Sequence, residues 1–215
     1  MDYDVLIIGA GIAGASIARQ LCRYQLRVAL FDKEADVSFG TSKANSGIVH
    51  AGFHDKPGTL KAKLCVRGNL LYEQWAEELE FPFRRCGILT IATDEEQAHQ
   101  IEALYRRGIQ NKVPYMQILS GERIMEMEPN LTPDIREGIY APTGGIVEPY
   151  EMIFAIVENA QKNDLALLTN TKVEAIEPIA DGLKVKSGSK EFSARFVINA
   201  VGLYADEISR MAGAE

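Results

Sequence analysis

A chain of 215 residues, 47% hydrophobic and 25% charged, is long enough for one large domain or two small ones. Its formal net charge of -7 repels a nucleic-acid backbone, and no basic stripe counters that balance. Cys22, Cys65 and Cys86 are odd in number and far apart, which excludes a disulfide framework and a metal spacing and reads as thiols in a reducing compartment.

Residues 3–8 (YDVLII) read as a short buried strand. The apolar run Val5 to Ala18 resembles a signal peptide, but Asp2 and Asp4 stand where positive charge is required and glycines interrupt it. No stretch approaches the roughly 20 apolar residues of a membrane helix, so a cytoplasmic location is expected. Residues 12–24 read as a helix and 27–32 as a second buried strand, which makes a βαβ unit and predicts a parallel sheet. A small-residue loop, 38–52, turns apolar at Ile48-Val49. An amphipathic helix follows over about 59–79, with Leu70, Leu71, Trp75 and Leu79 expected as its core side.

Residues 86–93 read as a strand, and Thr93, with Glu96 three positions on, as the cap of a helix to about Asn111. A short capped helix lies within 119–128, before the breaks at Pro129 and Pro133. Residues 138–147 read as strand, turn and strand, and Pro149 opens a helix to about Lys162. Strands are expected at 167–169, at 172–176 and around turns at Asp181-Gly182 and Ser187-Gly188. A buried strand at 196–200 and a helix at 204–211 complete the chain. The change of character between 82 and 147 divides it into 1–82 and 148–215, two parts of one nucleotide-binding domain, and an inserted segment at 83–147.

Gly9-Ala10-Gly11-Ile12-Ala13-Gly14 is G-x-G-x-x-G, placed after a strand and at a helix start, the context that gives the motif meaning. Gly9 permits a tight turn, Gly11 lets a pyrophosphate approach the backbone, and Gly14 lets helix and strand pack closely. A helix N-terminus with free amides suits a diphosphate. Asp32 ends the second strand, where a carboxylate accepts ribose hydroxyls.

NAD and FAD both satisfy this unit, but FAD also needs a second track for its ribityl chain and ring. Thr41, Ser42, Asn45 and Ser46 offer polar groups for it, and Gly47-Ile48-Val49 offers bare backbone beside an apolar face. An ordinary polar loop accounts equally well for 41–46 on composition alone.

The stretches YDVLIIGAGIAGASIARQL, VALFDKE, GTSKANSGIVHAGFHDKPGTLKAKLCVRGN and VINAVGLYADEISRMAG resemble, in order, the FAD-dependent family of glycerol-3-phosphate dehydrogenases, L-2-hydroxyglutarate oxidases and D-amino-acid oxidases. The resemblance implies an α/β fold: a Rossmann-like FAD-binding βαβ domain with an inserted α+β substrate-domain segment. It implies that Gly9, Gly11, Ile12 and Gly14 hold the diphosphate and that Asp32 and Lys33 sit at the adenosine ribose. Thr41, Ser42, Asn45, Ser46, Gly47, Ile48 and Val49 would line the cofactor from pyrophosphate to flavin. Val173 would give the backbone contact to adenine, and Ala200 and Gly202 the second glycine-type contact. Two departures stand out. The family's closing strand and helix are absent, members being roughly twice this length, so a fragment is expected. Glycerol-3-phosphate dehydrogenases also place an arginine where this chain has His54.

In this frame the cofactor accepts hydride and a base takes the hydroxyl proton. His50, just past Gly47–Val49, is the candidate base, since a pKa of about 6.5 suits proton transfer; a loop-shaping histidine is the alternative. His54, Arg67 and Arg84, with Arg85 beside it, are candidates for an anionic substrate; surface ion pairs are the alternative for the arginines. Tyr140 and Thr143 flank a glycine turn that a hairpin also explains. No hydrolase or zinc pattern is present. The expected function is therefore oxidation of a small anionic alcohol, glycerol 3-phosphate narrowly ahead of L-2-hydroxyglutarate. An inactive FAD-binding fragment is the alternative from another class. A NAD-dependent Rossmann enzyme leaves the second loop and the late glycine element unexplained. Quinone, oxygen and an iron–sulfur partner are all compatible electron acceptors, and no motif specifies an oligomeric state.

Overall fold

A computed structural model describes residues 1–213. The chain forms two compact units, one of Met1–Ser46 with the segment from Pro149 onward, the other of Gly47–Glu148. In chain order the first unit contributes β1 (Tyr3–Ile8), α1 (Ile12–Leu21) and β2 (Val28–Phe31). The second contains β3 (Ile48–Val49), α2 (Leu60–Leu79), β4 (Phe83–Arg84), β5 (Ile88–Ala92), α3 (Glu95–Gln110), β6 (Gln117–Ser120), α4 (Gly121–Met127), β7 (Glu137–Ala141) and β8 (Gly145–Val147). The first unit resumes with α5 (Pro149–Gln161), β9 (Ala166–Leu168), β10 (Ala175–Ile179), β11 (Gly182–Ser187) and β12 (Lys190–Asn199). A single 3-10 turn (Gly202–Tyr204) and α6 (Ala205–Met211) end it.

The first unit is a six-stranded sheet in the order β10-β11-β12-β1-β2-β9. β12, β1, β2 and β9 run parallel, while β10 and β11 turn back antiparallel at the edge. Parallel strands need both faces covered, hence the unbroken apolar runs VLII and VALF. On one face Leu6, Ile8, Ala29 and Phe31 pack with Val173, Ile176, Val185, Ala194 and Ile208. Phe31 is fully buried, with the rings of Tyr3 and Phe192 edge-on to it. Each such large side chain contributes about 1.5–3 kcal/mol by leaving water. α1 packs on β1 and β2 and against α5, and its buried residues Gly14, Ala15 and Ala18 are small enough to bring the backbones close.

The second unit holds two three-stranded sheets, ordered β3-β8-β4 and β5-β7-β6. The expected strand–turn–strand over 138–147 is present, but it is not a hairpin, because β7 and β8 belong to different sheets. The boundary expected after residue 82 falls instead after Ser46, since β3 pairs with β8 and α2 packs on β4. β4 and β6 are additional short strands. α3 begins one residue later than expected. Asp94 is its cap, accepting from the Gln97 amide at 2.8 Å, while Gln97 reaches back to the Thr93 amide.

The expected core side of α2 is corrected. Leu70 and Leu71 are 57% and 39% exposed, and the helix buries only Ala62 and Asn69. Its leucines form no stripe that another element covers among the described residues, so spacing within the helix misreads them. No helix among the described residues is long and apolar enough to cross a membrane.

Candidate functional site

In the first unit the glycine loop joins β1 to α1. Gly9 has φ +103°, and a Cβ there would lie 2.6 Å from the Ala200 carbonyl oxygen. The Ala200 amide donates to Ile8 O at 2.8 Å, so the ends of β12 and β1 lie side by side under the loop. A Cβ on Gly14 would fall 1.8 Å from Gly9 O. The α1 N-terminus has no side-chain cap. Of the Ile12, Ala13 and Gly14 amides that open it, only that of Ile12 has an acceptor among the described residues, Ser42 Oγ at 3.0 Å. Bare amides beside a glycine are the donor set a diphosphate requires.

Asp32 lies just past β2 and holds the loop from below. Its Oδ2 accepts the Ala10 amide at 2.7 Å, and its Oδ1 accepts the Glu34 amide at 2.9 Å. A carboxylate offers about four acceptor directions, so one on each oxygen remains for sugar hydroxyls. The chain after β9 passes alongside, the Thr171 amide donating to Asp32 O and the Asn170 amide to Glu34 O, both at 2.8 Å. Val173 follows in that crossing. It is not in the expected strand 172–176, because pairing with β11 begins only at Ala175, and its side chain is core. Lys33 Nζ sits 4.0 Å from the centroid of the Tyr204 ring. Asn45 Nδ2 donates to Ser42 O at 2.8 Å, while Thr41 and Ser46 are exposed. Gly202 has φ +63° with open space around it.

Ser38 carries no signal in the sequence. It is buried, adopts φ +67°, and donates its amide to Ala10 O at 3.0 Å. Its buried hydroxyl has no partner. A non-glycine residue in the left-handed region, holding an orphaned donor beside bare amides, belongs to a strained functional loop.

In the second unit Gly47 is buried with φ +66°, and β3 leaves Ile48 exposed and Val49 buried. His50 and His54 are exposed, their rings 6.2 Å apart and edge to face. Arg67 on α2 and Arg84 on β4 are exposed and make no ion pair among the described residues. Arg85 is committed elsewhere: it donates to Glu73 at 2.6 Å, to Asn69 Oδ1 at 3.1 Å and to the Thr143 carbonyl. Those bonds occupy the guanidinium that an anion would need. Tyr140 lies where a Cβ on Gly87 would be, 2.5 Å from its ring, and the Thr143 hydroxyl is buried without a partner.

Crowding by surrounding protein, with the His50 and Arg107 charges, holds the His54 imidazole below its ordinary pKa of 6.5, while Asp55 opposes them. The unfolded chain then binds more protons than the folded one near pH 6, so stability rises with pH. The contribution is fully present above about 6.5 and is lost as the pH falls through the lower folded value. The urea midpoint is expected to drop between pH 7 and 5.5, and His54→Gln to flatten that part of the curve. An unchanged slope in the variant would contradict this origin.

A family model described as FAD dependent oxidoreductase matches residues 4–215. The chain is 46% identical over 209 residues to a glycerol 3-phosphate dehydrogenase of Caloramator mitchellensis, covering 97% of this chain and 44% of that protein. It is 31% identical to the mitochondrial L-2-hydroxyglutarate dehydrogenase of Homo sapiens, covering 99% of this chain and 48% of that one. Among solved structures, the FAD-bound L-alpha-glycerophosphate oxidase of Mycoplasma pneumoniae superposes with a TM-score of 0.93 at 32% identity, over 99% of this chain and 57% of that chain. The chain thus spans about half the length of the relatives it matches.

Proposed function

The chain belongs to the family of FAD-dependent oxidoreductases, and from that premise we propose that its first unit binds the adenosine diphosphate half of FAD in a flavoenzyme oxidising a small anionic alcohol. One observation carries the reading: the Ala13 and Gly14 amides at the α1 N-terminus have no protein acceptor among the described residues, and Asp32, tied to the Ala10 amide at 2.7 Å, lies at the end of the neighbouring strand. Gly9, Gly11, Ile12, Gly14 and Ser42 hold the diphosphate, and Asp32 and Lys33 the ribose. Val173 gives the backbone contact to adenine, and Ala200 and Gly202 the second glycine-type contact beside the dinucleotide. Thr41, Asn45, Ser46 and Gly47–Val49 line the rest of the cofactor. The unit of Gly47–Glu148 carries the substrate contacts.

FAD, when bound, supplies the hydride acceptor. His50 takes the hydroxyl proton, and His54, Arg67 and Arg84 offer positive charge to the substrate anion. Glycerol 3-phosphate is favoured over L-2-hydroxyglutarate by the 46% identity to a relative named for it. A cytoplasmic setting is part of the same reading. Purified protein expressed from its own gene, titrated with FAD and assayed with both alcohols and an artificial electron acceptor, tests the reading. Oxidation of glycerol 3-phosphate at the higher kcat/KM is expected. A flavin-loaded protein inert to both alcohols would remove the substrate assignment, and failure to take up FAD would remove the whole reading.

A further inference from the structure

The second unit builds its histidine loop in an unusual way. From Ala51 to Asp55 the chain makes no backbone–backbone hydrogen bond among the described residues, yet Ala51, Gly52 and Phe53 are buried. Buried carbonyls need partners. Here side chains from two helices reach the carbonyls of His50, Gly52, His54 and Asp55. Asn69 on α2 donates to the His50 carbonyl at 3.0 Å and to the Thr143 carbonyl at 2.7 Å. Asn111, the residue that ends α3, donates to the Gly52 carbonyl at 2.9 Å and the Asp55 carbonyl at 2.8 Å. Arg107, one turn earlier on α3, donates to the His54 carbonyl at 2.9 Å. Asp55 is pinned to Lys61 at 2.9 Å.

Residue type matters at these two positions. A primary amide carries two N–H donors on one nitrogen, so a single Asn Nδ2 bridges two carbonyls. Aspartate has no donor, and serine has one. Asn69 is also one of only two residues that the twenty-residue α2 buries, the other being Ala62. A buried amide on a helix that buries only one other residue fully is explained by the bonds it makes.

We infer that Asn111 and Asn69 are positioning residues: Asn111 ties two carbonyls of the 50–55 loop to α3, Asn69 ties the His50 carbonyl and that of Thr143 to α2, and together they hold the His50 and His54 rings edge to face. The functional meaning rests on the proposed role of His50 as base; the clamp itself does not. The charged and titratable groups around the pair are His50 and Asp55 on the loop, Lys61 and Cys65 on α2, and Arg107 on α3. The clamp keeps His54 crowded and close to His50, which is where its lowered affinity for protons comes from. Releasing the loop loosens the protein packed on the covered part of the ring.

The test is an NMR pH titration of the imidazole C2 protons in the full chain, without flavin or substrate. The chain has three histidines, so His99 on α3 is an internal reference. In Asn111→Ala the His54 midpoint is expected to rise toward about 6.5, and the His50–His54 inter-ring NOE to weaken, with His99 and the far-UV spectrum unchanged. Asn69→Ala should move His50 in chemical shift and weaken the same NOE. Asn111→Ser and Asn69→Ser, each keeping one donor, should recover part of the parent behaviour, and they carry the reading if an alanine variant fails to fold. Folded variants with the parent midpoint and the parent NOE would overturn the inference. A positive titration in a protein that oxidises neither alcohol would leave the clamp standing and remove His50 from the chemistry.

Discussion

Gly14→Ala is expected to destabilise the first unit strongly, whereas Gly11→Ala should keep its stability and lose the cofactor. The two positions lie in one motif but meet different neighbours. A Cβ at Gly14 falls 1.8 Å from Gly9 O and 3.1 Å from Gly9 C, both backbone atoms of the tight turn. Nothing there can rotate away, so α1 has to lift off β1. Overpacking of this kind costs on the order of 3 kcal/mol or more, a large share of a domain's roughly 5–15 kcal/mol. At Gly11 the nearest atom to a Cβ is Ser42 Oγ at 2.9 Å, the end of a small rotatable side chain. Its φ of -78° also suits alanine. Displacing Ser42 leaves the fold intact but puts a methyl group where the diphosphate meets the helix. Thermal unfolding and a fluorescence titration with FAD separate the outcomes. Gly14→Ala should melt well below the parent. Gly11→Ala should melt near the parent and bind FAD at least about tenfold more weakly, or about 1.4 kcal/mol. A Gly14→Ala protein that melts like the parent would refute the packing account.

Asp32→Ala should weaken FAD binding by about 100-fold, close to 2.8 kcal/mol, and also lower stability. The second effect follows from the bonds to Ala10 and Glu34, whose amides lose their acceptor together. Each buried, unmet donor costs about 1–3 kcal/mol, less where water reaches it. Asp32→Asn divides the roles. It keeps one oxygen for one amide but turns an NH2 group toward the other, so it should recover part of the stability and little of the affinity. Chemical denaturation of the two apoproteins, set beside FAD titration of both, gives the comparison. If Asp32→Ala binds FAD as tightly as the parent, the carboxylate only shapes the loop and the ribose contact is wrong.

The βαβ unit was legible because its evidence is local. Gly9, Gly11 and Gly14 stand at fixed spacing between two apolar strands, and the helix and sheet periods are visible on either side. The rest depends on contacts distant in sequence. Asp32 reads as a ligand for sugar, but its bond to Ala10 spans 22 residues and no spacing rule announces it. Ser38 adopts a backbone conformation that glycine or asparagine usually signals, so its sequence is silent. Residues 141–145 look like a hairpin turn, yet Gly145 pairs with Val49 rather than folding back on β7. Leu70 and Leu71 lie in a helix as expected, but periodicity cannot say whether anything covers them. Asn69 looks like any polar residue on an amphipathic helix until two carbonyls are found beside it.

The sheet order has a consequence for how the chain is made. β1 is flanked by β2 and by β12, and its register places Tyr3 opposite Ala194. A ribosome therefore releases the first strand long before its inner neighbour exists, while the contiguous stretch 47–148 has every strand it pairs with already in hand. The nascent N-terminus must wait with an apolar edge open to chance pairing until β12, about 190 residues later, has been read. A stop codon anywhere before β12 would yield not a smaller binding protein but a sticky, unfinished sheet, a natural substrate for chaperones and proteases.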